Sequence, residues 1–285
     1  MSMPFYVAPE QFMKDKADFA RKNISRGRPL VATVYAGGIL ICAENQSKSL
    51  HKVSEIYDRI AFAGVGRYNE FDSLRRSGVQ HADVKGYQFS REDVDARSLA
   101  NLYAQYMGNV FTHEMKPLEV EILVAEVGTE PGGDQLFHIL YDGSVVDEDR
   151  YSVLGGEAEA IAARLESGFN VDWDLAAAIR TAASALAGPD RTPVAADLEV
   201  AILVRSNGRR AFQRLGDDEV ADALAGQPDA APADAGGSAT EGSATEGSAT
   251  EESATEESAT EGSDAAPAGA ASPTADSDGG DTNPC

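Results

Sequence analysis

The sequence predicts an α+β fold of two antiparallel sheets stacked face to face, with helices over both outer faces. Three observations carry this. Strands come as hairpin pairs, most plainly 30–35 with 39–43 and 198–205 with 211–215. Pairs of helices separate the pairs of strands, unlike the strict alternation of a doubly wound parallel sheet. The strands are almost continuously apolar, so each sheet needs cover on both faces.

The elements follow in order. Residues 1–8 read as an irregular arm. Pro9 opens a helix at a favourable first position, with Glu10 in its first turn. Phe12, Met13, Ala17 and Ala20 fall at helical spacing, Lys14, Asp15, Lys16 and Asp18 lie elsewhere around the helix, and it ends near Lys22. Residues 25–29 form a loop in which Gly27 is available for positive φ. Strands 30–35 and 39–43 join through Ala36-Gly37-Gly38. Short strands follow at 53–56 and 59–63, and Gly64-Val65-Gly66 leads into a helix from about Arg67. A longer helix spans 93–113, its apolar face supplied by Leu99, Leu102, Tyr103, Tyr106, Met107 and Val110.

The second half repeats the style. Strands are expected at 120–127, 136–141, 145–146 and 151–154, with Asp142-Gly143 as a turn. Helices are expected at 158–166 and 175–187, Asp172 capping the second. The last hairpin turns at Asn207-Gly208, a type I′ signature. A short acidic helix ends the fold near Leu224.

The chain of 285 residues has a formal charge of −23, and the charge is unevenly placed. Every Lys and Arg lies at or before Arg214; that body holds 24 basic and 30 acidic residues, whereas Gly216 onward holds 17 acidic residues and no basic one. Five Ser-Ala-Thr-Glu units stand between Ser238 and Glu261. Such a segment cannot bury enough apolar surface to offset its ordering entropy, so 226–285 is expected to be disordered. The domain plan is therefore an arm over 1–8, one compact domain over 9–225 and a tail over 226–285.

Composition also excludes functions. The acidic balance argues against nucleic acid as a partner, since phosphate binding needs clustered Lys and Arg. No run of 18 apolar residues exists, so no membrane partner is expected. The leading residues lack a charged stretch followed by an apolar run, and Cys42 and Cys285 fit a reducing compartment, so a cytoplasmic location is expected. His51, His81, His113 and His138 show no metal-ligand spacing, and no metal or cofactor is expected. Gly64-x-Gly66 is no dinucleotide loop, because Asn69 stands where the third glycine belongs.

No catalytic constellation emerges. Thr33 lies in mid-strand, and neither a G-x-S-x-G nor a Cys–His motif is present. Lys52 is the sharper case. It precedes a short apolar strand, and Gly64-Val65-Gly66 opens a helix soon after. Helix-start amides with an ammonium make a carboxylate receptor; the same lysine also reads as a solvated residue at a strand end. Phe5, Tyr6 and Val7 are more apolar than a simple solvated arm requires.

Several long words in order carry a resemblance. They are Ala20-Arg21-Lys22, Arg26-Gly27, Val31-Ala32-Thr33-Val34-Tyr35-Ala36-Gly37-Gly38 and Ser49-Leu50-His51-Lys52-Val53-Ser54-Glu55-Ile56-Tyr57-Asp58-Arg59. Asn69-Glu70-Phe71-Asp72-Ser73-Leu74-Arg75-Arg76, Tyr103-Ala104-Gln105, Lys116-Pro117-Leu118-Glu119-Val120-Glu121, Tyr141-Asp142-Gly143-Ser144 and Leu198-Glu199-Val200-Ala201 continue it. Nearly the whole body, without the tail, resembles the α-type subunits of the actinobacterial 20S proteasome.

That resemblance implies the four-layer αββα sandwich of N-terminal-nucleophile hydrolases. It implies a stack of four seven-membered rings, α outside and β within, in which the β-type relatives carry the threonine nucleophile. Here Arg28-Pro29 precedes the first strand and Glu44 stands where the β-type has Asp, so the chain is expected to be noncatalytic. The expected partners are β subunits, copies of itself, a ring-shaped AAA ATPase and unfolded proteins tagged with the modifier Pup. Lys52, Gly66 and Arg67 would bind the C-terminal carboxylate of the ATPase between neighbouring α subunits. Phe5, Tyr6 and Val7 would form the gate, Arg26 and Gly27 the pore annulus beneath it, and the helix 9–22 a ring contact. Two rivals stand beside this: a self-processing N-terminal-nucleophile hydrolase that exposes Ser25 or Thr33, and a binding module whose acidic tail recruits a basic partner.

Overall fold

A computed structural model of the chain describes residues 8–226. Its ten strands form two five-stranded sheets, antiparallel at every pairing. The first sheet holds β1 (Leu30–Tyr35), β2 (Gly38–Glu44), β8 (Tyr151–Leu154), β9 (Leu198–Val204) and β10 (Phe212–Arg214), in the order β10-β9-β2-β1-β8. The second holds β3 (Val53–Tyr57), β4 (Ile60–Gly66), β5 (Val120–Glu126), β6 (Gln135–Ile139) and β7 (Val145–Glu148), in sequence order.

Three apolar layers follow from the period-two alternation of the strands. Leu30, Ala32, Ile39, Ile41, Leu123 and Leu203 meet between the sheets. Their neighbours in sequence, Val31, Leu40 and Cys42, face outward against α4 (Ala158–Glu166), α5 (Leu175–Ala187) and α6 (Asp217–Ala225). Phe62, Ile122 and Val124 face outward from the second sheet against α2 (Tyr68–Gln88) and α3 (Ala96–His113). The result is the expected αββα sandwich. Burial pushes the Cys42 thiol up to about 12, so it behaves as a small apolar side chain.

Four local readings are corrected. Gly64-Val65-Gly66 is strand, not a lead-in loop: β4 pairs with β5 out to Gly66–Val120. A glycine looks like a breaker in sequence, but here Phe71 packs over Gly64, where a Cβ would meet its ring at 2.8 Å. The cap of α5 is Asp174, whose carboxylate accepts from the Ala177 amide at 2.6 Å; Asp172 instead donates its amide to Asn170 Oδ1.

The last hairpin has no type I′ turn. Arg205–Asn207 form a 3-10 turn, and of Asn207 and Gly208 only the glycine has positive φ. Bonds to other loops hold this connection: its own Arg205 guanidinium donates to the Ala36 carbonyl (3.0 Å) and to Asp134 (2.6 Å), and Arg59 donates to the Gly208 carbonyl (2.8 Å).

The first helix, α1 (Pro9–Ile24), runs two residues beyond Lys22 and turns a different face inward. Lys16, Ala20 and Ile24 are buried, while Phe12 and Phe19 are 41% and 46% exposed. Lys16 counts as buried because its ammonium reaches the C-terminal end of α3. His138 lies buried on β6 with Nε2 3.5 Å from Glu121.

Candidate functional site

The predicted docking residues sit where the ends of both sheets meet the loop after α1. Lys52 stands just before β3. Its carbonyl accepts from the Gly64 amide at 3.1 Å, so it is fixed opposite β4, two residues from Gly66. Its half-buried side chain turns toward the loop after α1 and donates to the Arg28 carbonyl at 2.6 Å. Among the described residues no carboxylate lies within ion-pair distance of this ammonium. Burial pulls Lys52 down to about 8; the Arg28 charge adds to this, and Glu199 and Glu44 oppose it. The site thus holds a cation with negative charge nearby and no carboxylate in contact with it.

Gly27 comes to the same place for a reason of space. Its φ is not positive; a Cβ there would meet Val65 Cγ1 at 2.8 Å and the Gly66 amide nitrogen at 3.3 Å. The expected use of left-handed backbone is therefore corrected to close approach. Gly66 does need that freedom, with φ +110° and the Glu119 carbonyl oxygen where a Cβ would stand.

Arg67 caps α2 and donates its amide to the Glu119 carbonyl at 3.0 Å. Its guanidinium faces Glu119 (3.7 Å) and Glu70 (3.9 Å), carboxylates that Lys116 also pairs at 2.7 and 2.9 Å. The structure therefore brings Lys52, Gly27 and Gly66 together, and gives Arg67 its own acidic partners. Arg26 is exposed in the loop after α1. Phe5, Tyr6 and Val7 lie outside the described residues, as does the tail from 227.

One residue of this site escapes sequence reasoning. Glu199 on β9 is buried, and its carboxylate accepts from Asn45 Nδ2 (2.8 Å), the Lys52 amide (2.8 Å) and the Val53 amide (3.3 Å). His51 Nδ1 lies 3.2 Å away and the Arg214 guanidinium 3.5 Å. The available signal was a lone carboxylate inside the apolar run Leu198–Val204, since a buried acid is rare unless paired.

The catalytic position of the rival hydrolase is also visible. Thr33 is fully buried in the middle of β1, its hydroxyl 3.3 Å from the Val34 carbonyl, and Glu44 pairs with Arg191 at 2.6 Å. Among the described residues no group of three His, Cys, Asp or Glu is placed to hold a metal ion, and no helix is long and apolar enough to cross a membrane.

A family model described as proteasome subunit matches residues 24–192, which include both helix pairs and the Lys52 region. This chain belongs to the proteasome subunit family. It is similar to the proteasome subunit alpha of Acidimicrobium ferrooxidans, 61% identical over 81% of this chain and 100% of that relative. The proteasome subunit alpha of Xylanimonas cellulosilytica is 54% identical over 75% of this chain and 93% of its own, and that of Kineococcus radiotolerans 52% over 79% and 99%. Within the proteasome family the chain stands with the alpha-type subunits.

Proposed function

We propose that this proteasome α subunit is noncatalytic, closes the outer heptameric ring of an α7-β7-β7-α7 stack, and admits substrate when a ring-shaped AAA ATPase docks. The substrates are unfolded proteins carrying Pup, which the actinobacterial resemblance supplies. One observation carries the docking role: the half-buried Lys52 ammonium has a carbonyl oxygen as its partner and no carboxylate. An incoming C-terminal carboxylate provides the missing contact partner, and a charge-assisted bond in a half-buried site is stronger than a surface pair.

Docking opens the pore only by binding the open arrangement better than the closed one. The contact between the Lys52 ammonium and the Arg28 carbonyl gives a physical route. A carboxylate that takes the ammonium competes with the loop that leads back through Gly27 and Arg26 to α1. The arm with Phe5, Tyr6 and Val7 precedes α1, so the same movement reaches the gate.

Assembly is supported by exposed apolar side chains. Phe12 and Phe19 on α1, with Tyr87 (91% exposed), Phe89 and Tyr106 on the α2–α3 face, leave surfaces of the kind that neighbouring subunits cover. The noncatalytic role is supported by Thr33, whose place inside β1 offers no free amine to act as base. The deciding experiment is native mass spectrometry of the co-purified particle, followed by ATPase-stimulated proteolysis with Lys52→Ala. A chain found trimmed to a new terminal Ser or Thr, and hydrolysing peptides without β subunits, overturns the proposal.

A further inference from the structure

Glu199 makes the docking site a construction of both sheets. β3 is the edge strand of the second sheet, so the amide and carbonyl of Val53 face away from β4's last pairings without a strand partner of their own. Two side chains of the first sheet supply the partners. Glu199 on β9 accepts the Val53 amide at 3.3 Å, and Arg214 on β10 donates to the Val53 carbonyl at 2.6 Å. Glu199 also accepts the Lys52 amide, and Asn45 Nδ2 joins it from the far end of the 45–52 loop. Three donors, Asn45 Nδ2 and the Lys52 and Val53 amides, converge on the two oxygens with the Arg214 guanidinium 3.5 Å away, a set that an ionised carboxylate satisfies and a neutral amide does not.

We infer that Glu199 is the positioning residue of the Lys52 docking site: it fixes the backbone from which the ammonium projects and holds negative charge beside it. The inference rests on the docking role proposed above. The loop between Asn45 and Lys52 has other anchors: within it Asn45 Nδ2 donates to the Leu50 carbonyl (2.8 Å) and the Leu50 amide donates to Ser47 Oγ (3.0 Å), and beyond it the Asn45 amide donates to the Asp197 carbonyl (2.8 Å), Arg28 donates to Gln46 Oε1 (2.6 Å) and Lys48 donates to Asp217 (2.5 Å). Only Glu199 ties the loop's two ends to one atom, Oε2, which receives both Asn45 and the Lys52 amide. The charged groups facing Lys52 are Arg28 from the loop before β1, Glu44 at the end of β2 and Glu199 itself; those facing Glu199 are His51 and Arg214.

Glu199→Gln turns one oxygen into an NH2 group that must face donors in either orientation, and it removes the neighbouring negative charge. Both effects reach Lys52, one through the backbone and one through its proton affinity. A residue that only stabilised the fold would weaken docking equally at every pH.

The test uses assembled α/β particles and the C-terminal heptapeptide of the ring ATPase encoded in the same genome, with its amidated form as control. Binding is titrated from pH 6.5 to 9.5. In Glu199→Gln particles the affinity falls roughly tenfold at neutral pH, the consequence of misplacing one charged hydrogen bond. The pH midpoint of binding also moves down, because Lys52 loses its proton more readily. If Lys52→Ala abolishes binding while Glu199→Gln binds like the unmodified particle at every pH, the positioning role is overturned and the docking role stands. A uniform loss with an unmoved midpoint overturns it too. If Lys52→Ala itself binds normally, the docking role fails.

Asn45→Ala covers the case in which Glu199→Gln does not assemble. It keeps the carboxylate and the Lys52 amide bond but frees the loop's other end from Oε2, so affinity drops severalfold and the midpoint stays. An Asn45→Ala particle that binds as tightly as the unmodified one overturns the inference.

Discussion

The Lys16 ammonium lies 2.9 Å from the Phe111 carbonyl oxygen, at the last turn of α3. It also reaches the Glu114 carbonyl at 2.5 Å and lies 4.7 Å from the centre of the Phe12 ring. A cation at a helix C-terminus meets unsatisfied carbonyls and the negative end of the dipole. This buried contact ties the first helix to the body. Lys16→Met removes charged hydrogen bonds that contribute about 1.5–3 kcal/mol each. Amides of α1 should lose protection in native-state hydrogen exchange while those of β1, β2 and β9 keep theirs. Unchanged protection in α1 would show that its apolar side chains alone hold it.

Lys52→Ala should leave particle assembly intact and abolish stimulation of proteolysis by the ATPase. Stimulation measured on the intact particle decides this, and a normal response rules out the site.

The pH dependence has a defined sign. Lys52 titrates at about 8 in the folded chain instead of the ordinary 10.5, because burial disfavours the charged form. Between those values the folded state binds fewer protons than the unfolded chain. Stability therefore rises with pH across the window, while below pH 8 the charged form costs stability. Docking runs the other way, since a carboxylate needs the ammonium. Peptide affinity should fall as pH rises through about 8, and Lys52→Arg particles should lose that dependence.

Gly66→Ala should destabilise the fold by about 1–3 kcal/mol, the cost of a side chain at a left-handed position with a carbonyl in its way. Gly168→Ala is the control: nothing lies within 4 Å of its Cβ position and its φ is not positive. Thermal unfolding of both variants checks this. Equal melting temperatures would remove Gly66 as a constraint on the site.

If the proposed gate is formed by Phe5-Tyr6-Val7, deleting residues 2–8 should raise basal peptide hydrolysis by the assembled particle. A deletion particle no faster than the full-length one would rule out the gate.

The hydrophobic pattern made most of the fold legible. α4 and α5 carry the boundaries read from periodicity, and the αββα layering follows from strands that are apolar on both faces. The misreadings share a cause. In sequence Gly64, Gly27 and Asn207-Gly208 read as local conformational devices, but side chains outside each turn determine what happens there: Phe71 from the next helix, and Val65 and Arg59 from far along the chain. Periodicity puts Lys16 off the apolar face, whereas the carbonyls that receive it come from a helix about 95 residues away. Of the candidate site, Lys52 was visible as a lysine before a strand, and Glu199 was passed over inside an apolar word.

By itself the sequence determined the layer architecture, the split between an apolar-patterned body and an acidic tail, and the likeness to α-type proteasome subunits. The first two depend on periodicity and composition and the likeness on words of sequence in order, all of them read along the chain. Tertiary structure alone decided that Lys52 lacks a carboxylate partner, that Gly27 and Gly66 crowd the same corner, and that Glu199 reaches across from one sheet to hold the edge of the other. Those facts depend on which distant residues the fold brings within hydrogen-bond reach, and spacing along the chain does not encode that distance.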